Sequence, residues 1–373
     1  MNNSDLFLSF NEKVVFSLRS LYSSYGYSQY KMSKFEEYDL YALNKDFLIS
    51  DSVITFTDTN GKLMALKPDV TLSIIKNIKD DPTTLSKVFY NENVYRISGG
   101  SHTYKEIMQA GLECFGDIDA YSICEVITLA AKSLKSISDS CVLDISHLGL
   151  LGNVFESFNI PLLAREKILK FIGEKNLHEM TRYCEEIGVL NENVNTLKFL
   201  ASASGNPDEV IPALINELEG KTDISPLIEM KEMLAAVDNE LKPILRIDFS
   251  VVNDIKYYNG IVFKGFIEGI PSSVLSGGQY DKLMQKMNRR SSAIGFAVYL
   301  DMLERFKAAT QEYDVDVLII YSEKTNLSSL NKYADSLIKK GERVLVSKGT
   351  NKNIKYRNII NFDCEVAKSE INA

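Results

Sequence analysis

Two stretches in the first third of the chain alternate between hydrophobic and polar residues. They are residues 86–97 (SKVFYNENVYRI) and 103–116 (TYKEIMQAGLECFG), and the loop SGGSH separates them. Alternation with a period of two is typical of strands whose two faces differ in burial. The pattern therefore predicts two long strands joined by this loop. Further strands are predicted as a hairpin over 52–67 that turns at Asn60-Gly61, at 141–146, and within residues 246–300.

Other stretches repeat their hydrophobic residues every three to four positions, which predicts helices. One covers residues 8–24, and another opens after Pro68, with Asp69 as its N-cap, and runs to about Lys76. A third covers residues 119–137. From about residue 147 to residue 242 helical periodicity dominates, with breaks at Pro161, Gly188 and Gly205-Asn206-Pro207. We interpret this segment as a helical insertion between two groups of strands.

The last sixty residues have a pattern of their own. The stretch VDVLIIY is followed by a helical pattern over 326–340, by Gly341 as a C-terminal cap and by RVLVS, which together predict a small βαβ unit. A chain of 373 residues is too long for one ordinary core, so two or three domains are expected. The sequence thus predicts an α+β core over residues 1–310, with the insertion at about 150–243, and a small α/β tail over 314–373.

Composition argues against several classes of protein. The net charge is −8, which argues against a surface that grips a nucleic-acid backbone. The five cysteines are scattered without a C-x-x-C pair and there are only three histidines, so neither a metal site nor a disulfide framework is expected. The N-terminus has no export signal, and no run of 18 apolar residues could span a membrane. We expect a cytoplasmic protein with buried thiols and no cofactor.

Polar residues recur on one face of the second long strand. Met108, Ala110, Leu112 and Cys114 alternate with Gln109, Gly111 and Glu113, so the first set is expected to face the core. A glycine inside a strand often marks the close approach of a ligand or of another backbone. Gln109 and Glu113 would flank the gap above Gly111 and could hold an ammonium group. The alternative is that this face is simply the solvated side of an antiparallel sheet.

Two adjacent tyrosines, Tyr257 and Tyr258, precede an Asn-Gly pair in the stretch VVNDIKYYNGIVF. Tyrosine offers an aromatic face and a hydroxyl, so the pair could form the wall of a binding pocket. Strands favour aromatic residues in any case, and the later stretch SGGQYDKLM could be an ordinary turn before a helix. Each of these features alone is weak.

Their order along the chain is more specific, and it resembles the catalytic core of class II aminoacyl-tRNA synthetases, closely the histidyl-tRNA synthetase branch. MALKPDVT (64–71) is similar to that family's L-R-P-E-G-T segment, and residues 94–116 resemble its motif 2. IKYYNGIVF (255–263) resembles the histidine-specific segment R-G-L-D-Y-Y-T-G. GGQYDKLM (277–284) and SAIGFAVYLDML (292–303) resemble the G-G-R-Y-D loop and motif 3. The resemblance covers roughly residues 5–305.

The departures from the synthetase pattern concern its charged residues. Alignment on these segments places Asn253 at the catalytic arginine, Met302 at the ATP-binding arginine of motif 3, and Lys256 at the conserved aspartate. The remaining replacements are Ser98 for the motif 2 glutamate, Gln279 for the arginine of the loop, and Ser33 for the motif 1 proline. Adenylate formation depends on fixed cations around a phosphoryl centre, which methionine and asparagine cannot supply.

The amino-acid pocket is retained better than the catalytic residues. This combination resembles the ATP phosphoribosyltransferase regulatory subunit family, which is synthetase-like and acts in histidine biosynthesis. The resemblance implies a non-catalytic subunit that binds L-histidine, activates a short-form catalytic subunit, and self-associates within a hetero-oligomer. The histidine-binding residues that it implies are Asp69, Thr71, Arg96, Gln109, Glu113, Tyr257, Tyr258, Gly277 and Tyr280.

Two other interpretations stay open. One is a divergent histidyl-tRNA synthetase, against which the arginine replacements, the acidic balance and the short tail argue. The other is a synthetase-like module that binds tRNA or another protein for an unrelated purpose. Composition does not exclude this last possibility.

Overall fold

A computed structural model describes residues 8–45, 48, 53–97, 103–252, 258–307 and 313–363, with no side-chain description for 304–307. Contacts within the chain divide it into two compact units. The larger unit is Val14–Leu303, and the smaller one combines Glu304–Ala373 with Met1–Lys13. Five residues considered in the sequence analysis lie outside the described residues: Ser98, Asn253, Lys256, Tyr257 and Cys364.

A nine-stranded sheet forms the centre of the larger unit. The described residues of this unit form twelve strands, which in chain order are β1 Ser28–Gln29, β2 Phe35–Glu37, β3 Thr55–Thr57, β4 Leu63–Leu66, β5 Ser86–Ile97, β6 Tyr104–Gly116, β7 Cys141–His147, β8 Ser204–Gly205, β9 Leu245–Asp248, β10 Ile261–Ile267, β11 Leu275–Gln279 and β12 Ser292–Tyr299. The large sheet has the order β1-β5-β6-β12-β11-β10-β7-β9-β8, and β2-β4-β3 form a separate small sheet. Pairing in the large sheet is antiparallel except between β1 and β5 and between β7 and β9.

Helices precede, connect and follow these strands. They are α1 Phe10–Ser24, α2 Tyr38–Ala42, α3 Val70–Asn77, α4 Ala120–Ile137, α5 Leu148–Ser157, α6 Leu162–Gly173, α7 Leu177–Glu186, α8 Asn191–Ser202, α9 Pro207–Leu218, α10 Ser225–Ala235, α11 Asp281–Lys286 and α12 Leu300–Lys307. The predicted α+β class is confirmed, and α5 to α10 form the predicted helical insertion between β7 and β9. Asp69 caps α3 as expected, because its carboxylate accepts a hydrogen bond from the Leu72 N–H at 2.9 Å.

The two faces of the large sheet have different coverings. Phe296 of β12 packs edge-on against Tyr22 of α1 at a centroid distance of 5.9 Å and against Phe263 of β10 at 6.2 Å. The Tyr22 hydroxyl is hydrogen-bonded to Ser133 of α4, so α1 and α4 cover this face. Neighbouring residues on β12 point the opposite way, which places Gly295 on the other face. The candidate site lies on that second face.

The smaller unit contains a three-stranded parallel sheet of order β14-β13-β15. Its strands are β13 Val315–Ile320, β14 Val344–Ser347 and β15 Tyr356–Asn361, and α13 Leu327–Lys339 connects β13 to β14. Val317, Ile319, Leu330, Ala334 and Phe362 form its core. The predicted βαβ unit is therefore present, whereas β15 was missed because YRNIIN alternates weakly and is largely exposed.

Candidate functional site

The centre of the second face is a row of residues that sheet register brings side by side. Glu113 of β6 lies opposite Gly295 of β12, which in turn lies opposite Gly278 of β11. A Cβ atom at Gly295 would lie 1.7 Å from Glu113 Oε2, and one at Gly278 would lie 2.9 Å from Tyr258 Cδ1. The two glycines therefore form a floor across which the Glu113 and Tyr258 side chains lie. We call this arrangement, together with Thr71 and Tyr280, the Glu113 site.

Glu113 is a buried carboxyl group with two hydroxyl donors. Thr71 Oγ1 donates to Oε1 at 2.7 Å, and the Tyr280 hydroxyl donates to Oε2 at 2.6 Å. The residue is only 2% exposed, and burial raises the pKa of its carboxyl to about 8 against the opposing effect of both hydroxyls. Within the described part of the chain no lysine or arginine forms an ion pair with it. An ionised Glu113 would therefore lack a cationic partner among the described lysines and arginines, and the cationic group of a ligand could supply one.

Thr71 reaches Glu113 from the first turn of α3. Pro68 fixes the backbone before the helix, and the Asp69 carboxylate caps the helix at Leu72. Partial burial raises the pKa of the Asp69 carboxyl, while the Leu72 N–H and the nearby Arg96 guanidinium act in the opposite direction. Asp69 thus combines a structural role at the helix start with a second acidic group beside the site.

Arg96 of β5 supplies positive charge near the same helix. Its Nε donates to the Pro68 carbonyl oxygen at 3.1 Å, so the guanidinium lies against the start of α3. The Glu113 site thus has carboxyl groups on one side and a guanidinium at its edge. An amino-acid zwitterion carries the complementary pair of charges, an ammonium and a carboxylate.

The solvated-face interpretation of β6 is wrong. Gln109 is 4% exposed and Glu113 is 2% exposed, so this face is buried over its second half. Met108, expected in the core, is instead 38% exposed. The reason is the length of β6: β12 pairs with it only from Gln109 onward, and the preceding residues have β5 as their neighbour.

The gap expected above Gly111 is filled by Tyr90. Tyr90 lies directly opposite Gly111 on β5, and its hydroxyl would lie 2.6 Å from a Cβ atom at that glycine. Gln109 and Glu113 therefore flank a phenol and not an open space. Burial and the neighbouring Glu113 raise the pKa of this phenol well above its usual range. No local pattern indicated that Tyr90 belongs to the site, because its position over Gly111 depends on the register between the two strands.

Gly277, a predicted site residue, lies on the opposite face of the sheet from the Glu113 site. A Cβ atom at Gly277 would meet Phe296 Cβ at 2.4 Å and the Phe263 ring at 2.7 Å, on the face that α1 and α4 cover. The predicted placement of Gly277 in the pocket is therefore wrong, and Gly278 is the glycine that adjoins the site. Tyr258 is half-buried there and packs with Tyr90 and Tyr280 in one hydrophobic cluster. Tyr257, its predicted companion, lies outside the described residues.

Asp281 links the two segments that carry the site tyrosines. Its backbone N–H donates to Asn259 Oδ1 at 2.7 Å, and the Asn259 amide donates back to Asp281 Oδ2 at 3.2 Å. The Ala293 N–H also donates to Asp281 Oδ1 at 3.0 Å. Tyr258 and Tyr280 are thereby held in a fixed relation although 22 residues separate them. Sequence reasoning missed this link, which joins side chains from distant loops.

A buried ion pair lies beside Gln109. Lys67 is fully buried and donates to Glu92 at 2.9 Å, and Glu92 lies opposite Gln109 in the sheet. Met302, at the position of the synthetase arginine, is 39% exposed on α12, and its Sδ accepts a hydrogen bond from Ser272 Oγ at 3.5 Å.

In the described ranges there is no group of three or more His, Cys, Asp or Glu side chains that could hold a metal ion. Nor does any described helix have the length and apolarity needed to cross a membrane.

The mostly antiparallel sheet, the helices around it and the helical insertion define a class II aminoacyl-tRNA synthetase-like fold. A sequence model of the family described as Histidyl-tRNA synthetase matches residues 8–303. The chain belongs to the histidyl-tRNA synthetase family.

Curated relatives refine this assignment. The chain is 26% identical over 296 residues to an ATP phosphoribosyltransferase regulatory subunit of Oceanobacillus iheyensis, covering 78% of this chain and 72% of the relative. It is 28% identical over 342 residues to a protein of the same name from Clostridium kluyveri, covering 87% of this chain and 85% of the relative. The resemblance drawn from the sequence motifs is therefore confirmed.

Solved structures agree on the fold. An ATP phosphoribosyltransferase regulatory subunit/histidyl-tRNA synthetase from Bacillus halodurans aligns with a TM-score of 0.76 at 21% identity, over 94% of this chain and 93% of that one. Histidyl-tRNA synthetase from Nostoc aligns with a TM-score of 0.70 at 16% identity, over 92% of this chain and 83% of that one. A chain of the ATP phosphoribosyl transferase (HisG:HisZ) complex from Thermotoga maritima aligns with a TM-score of 0.62 at 20% identity, over 79% of this chain and 97% of that one.

Proposed function

We propose that this protein is the non-catalytic regulatory subunit of an ATP phosphoribosyltransferase, and that it binds L-histidine in the Glu113 site. In this role it activates a short-form catalytic subunit and transmits feedback inhibition by histidine. Self-association within a hetero-oligomer and a cytoplasmic location belong to the same proposal. The names of the curated relatives support the regulatory role, and the chemistry of the site supports the choice of ligand.

The observation that carries the proposal is the environment of Glu113. Its carboxyl is buried on a floor of glycines, and among the described residues its hydrogen-bond donors are the neutral hydroxyls of Thr71 and Tyr280. A buried carboxylate normally has a cationic partner. The α-ammonium group of histidine would supply that partner, while Arg96 would receive the α-carboxylate. Tyr258 would then contact the imidazole ring across Gly278.

A synthetase activity is the second candidate, because the chain belongs to a synthetase family. Adenylation would need cations at the phosphoryl centre, where the alignment places Asn253 and Met302. Loss of one donor of this kind costs about 10²–10³ in rate. We expect no histidine-dependent exchange of pyrophosphate into ATP. Exchange at the rates of a synthetase would instead establish the enzyme, and histidine binding without exchange or partner activation would favour an unrelated binding module.

The ligand proposal is tested by calorimetric titration of histidine into wild-type protein and Glu113→Gln at pH 8. The substitution keeps the size of the side chain and removes its charge. A charge-assisted hydrogen bond contributes about 1.5–3 kcal/mol, so the dissociation constant should increase roughly 10–150-fold. Glu106→Gln is the matched control, because Glu106 is an exposed carboxylate on the same strand and should have wild-type affinity.

Imidazolepropionate, a histidine analogue without the ammonium group, tests whether Glu113 contacts that group directly. It should bind weakly to wild-type protein and equally weakly to Glu113→Gln, because the group that Glu113 contacts is missing. Equal dissociation constants for histidine in the wild type and in Glu113→Gln would refute the assignment of the ammonium group to Glu113.

A further inference from the structure

Glu113 is surrounded by groups from every element that packs against it. From α3 come the Thr71 hydroxyl and the Asp69 carboxylate, and from the start of α11 comes the Tyr280 hydroxyl. Among the described residues, β5 contributes the Tyr90 phenol and β12 contributes Gly295.

Among the described residues, neither of the two nearby cations is paired with Glu113. Arg96 lies against the Pro68 carbonyl and interacts with Asp69, and the Lys67 ammonium is paired with Glu92 at 2.9 Å. Glu113 therefore faces hydroxyl groups and a second carboxylate.

An ionised carboxylate is costly in such a place. Each Glu113 oxygen accepts one hydroxyl hydrogen bond, which stabilises the charge in part, while burial and Asp69 oppose it. The balance raises the pKa of the Glu113 carboxyl to about 8. At neutral pH the unliganded site then holds mostly the neutral acid, and an ammonium group binds best to the ionised form.

We propose that ligand binding at the Glu113 site is a proton exchange, in which Glu113 is a neutral carboxylic acid in the free protein and a carboxylate beneath the ligand's ammonium group in the complex. The proton passes to solvent buffer, and no covalent bond to the ligand forms or breaks. This inference rests on the proposed function, and it adds that effector affinity depends on pH. Histidine would act as a weaker effector when the surrounding pH falls below neutrality.

The direction and size of the effect follow from acid–base linkage. At pH 7, one unit below the free-state pKa of about 8, binding should release about 0.9 proton from Glu113. Affinity should rise up to about tenfold per pH unit between pH 6 and pH 8 and then level off. The ligand's imidazole also titrates in this range, near pH 6.5. Glu113→Gln retains that contribution and loses the one from Glu113, so the difference between the two proteins isolates the carboxyl group.

The experiment is calorimetric titration of histidine at pH 7 in phosphate and in Tris, whose ionisation enthalpies differ. The dependence of the observed heat on the buffer gives the number of protons released. Wild type and Glu106→Gln should release about 0.9 proton more than Glu113→Gln. Equal proton release in all three proteins, with histidine still bound, would overturn the proposed proton exchange but not the proposed binding of histidine. Absence of histidine binding by the wild type would overturn both.

Tyr280→Phe provides a second variant that does not depend on the folding of Glu113→Gln. It keeps the ring that packs edge-on against Phe115 at 6.4 Å and removes the hydroxyl that stabilises the ionised carboxylate. The pH at which affinity levels off should therefore move above the wild-type value. An unchanged pH profile in Tyr280→Phe would contradict the proposal.

Discussion

Gly295→Ala changes the floor of the Glu113 site by one methyl group. In the present backbone that methyl would lie 1.7 Å from Glu113 Oε2 and 2.5 Å from the Leu112 carbonyl oxygen. The carboxyl is a side-chain group and can swing away. The Leu112 carbonyl belongs to the neighbouring strand, so β6 and β12 would also have to separate locally.

The magnitude can be worked from the contacts that this movement breaks. Displacing the carboxyl removes its hydrogen bonds to Thr71 and Tyr280 and leaves buried polar groups without partners. Together with the backbone clash, the free energy of unfolding should fall by about 2–5 kcal/mol. Histidine affinity should fall at least as far as in Glu113→Gln, because the carboxyl leaves the site.

Gly152→Ala is the matched control. Gly152 lies in α5, and a Cβ atom there would meet no other atom within 4 Å. Alanine stabilises a helix interior by about 0.5–1 kcal/mol relative to glycine, so this variant should be slightly more stable than the wild type. Urea denaturation at pH 7 and histidine titration measure both effects. A Gly295→Ala protein with the wild-type stability and affinity would refute the close approach of Glu113 to β12.

The pH dependence of stability and the removal of the C-terminal tail test the same geometry. Because the raised pKa of Glu113, about 8, lies above its unfolded value of 4.5, the free energy of unfolding should decrease as pH rises from 6.5 to 8, by up to about 1.4 kcal/mol per unit. Burial lowers the pKa of His147 to about 4, so its effect on stability lies below this pH range. Glu113→Gln removes the titrating carboxyl and should therefore show a flatter dependence of unfolding free energy on pH in urea denaturation. Identical slopes in the two proteins would count against the raised pKa. Deletion of residues 314–373 should leave histidine affinity unchanged, since every described residue of the Glu113 site lies in Val14–Leu303; a folded truncation that fails to bind histidine in titration would show that the predicted domain boundary or the site is wrong.

The alternation of residues 105–114 was enough to place Gln109 and Glu113 on one face of β6. It could not reveal that this face is buried, because the covering groups come from α3 and from the segment around Tyr280, which are distant in sequence. The exposure of Met108 has a similar cause, since β12 ends its pairing at Gln109. Local patterns determine which residues share a face, and tertiary packing determines whether that face meets solvent.

The errors at Gly277 and Gly111 have a second cause, the register between strands. In a pair of adjacent glycines, a shift of one residue exchanges the two faces of the sheet. The motif identified the pair but not which glycine adjoins the ligand face. Tyr90 was missed for the same reason, because only the pairing of β5 with β6 places its phenol over Gly111. The resemblance to a family supplied the remaining site residues, which spacing alone would not have connected.

We propose that this chain regulates a short-form ATP phosphoribosyltransferase in response to histidine. The most direct test of this proposal is the phosphoribosyltransferase activity of a short-form catalytic subunit from the same organism, measured alone, with this protein, and with this protein plus histidine. We expect co-elution on gel filtration, higher activity on mixing, and inhibition by histidine that shifts to higher concentrations in Glu113→Gln while assembly persists. Two separate elution peaks with unchanged kinetics would contradict the account.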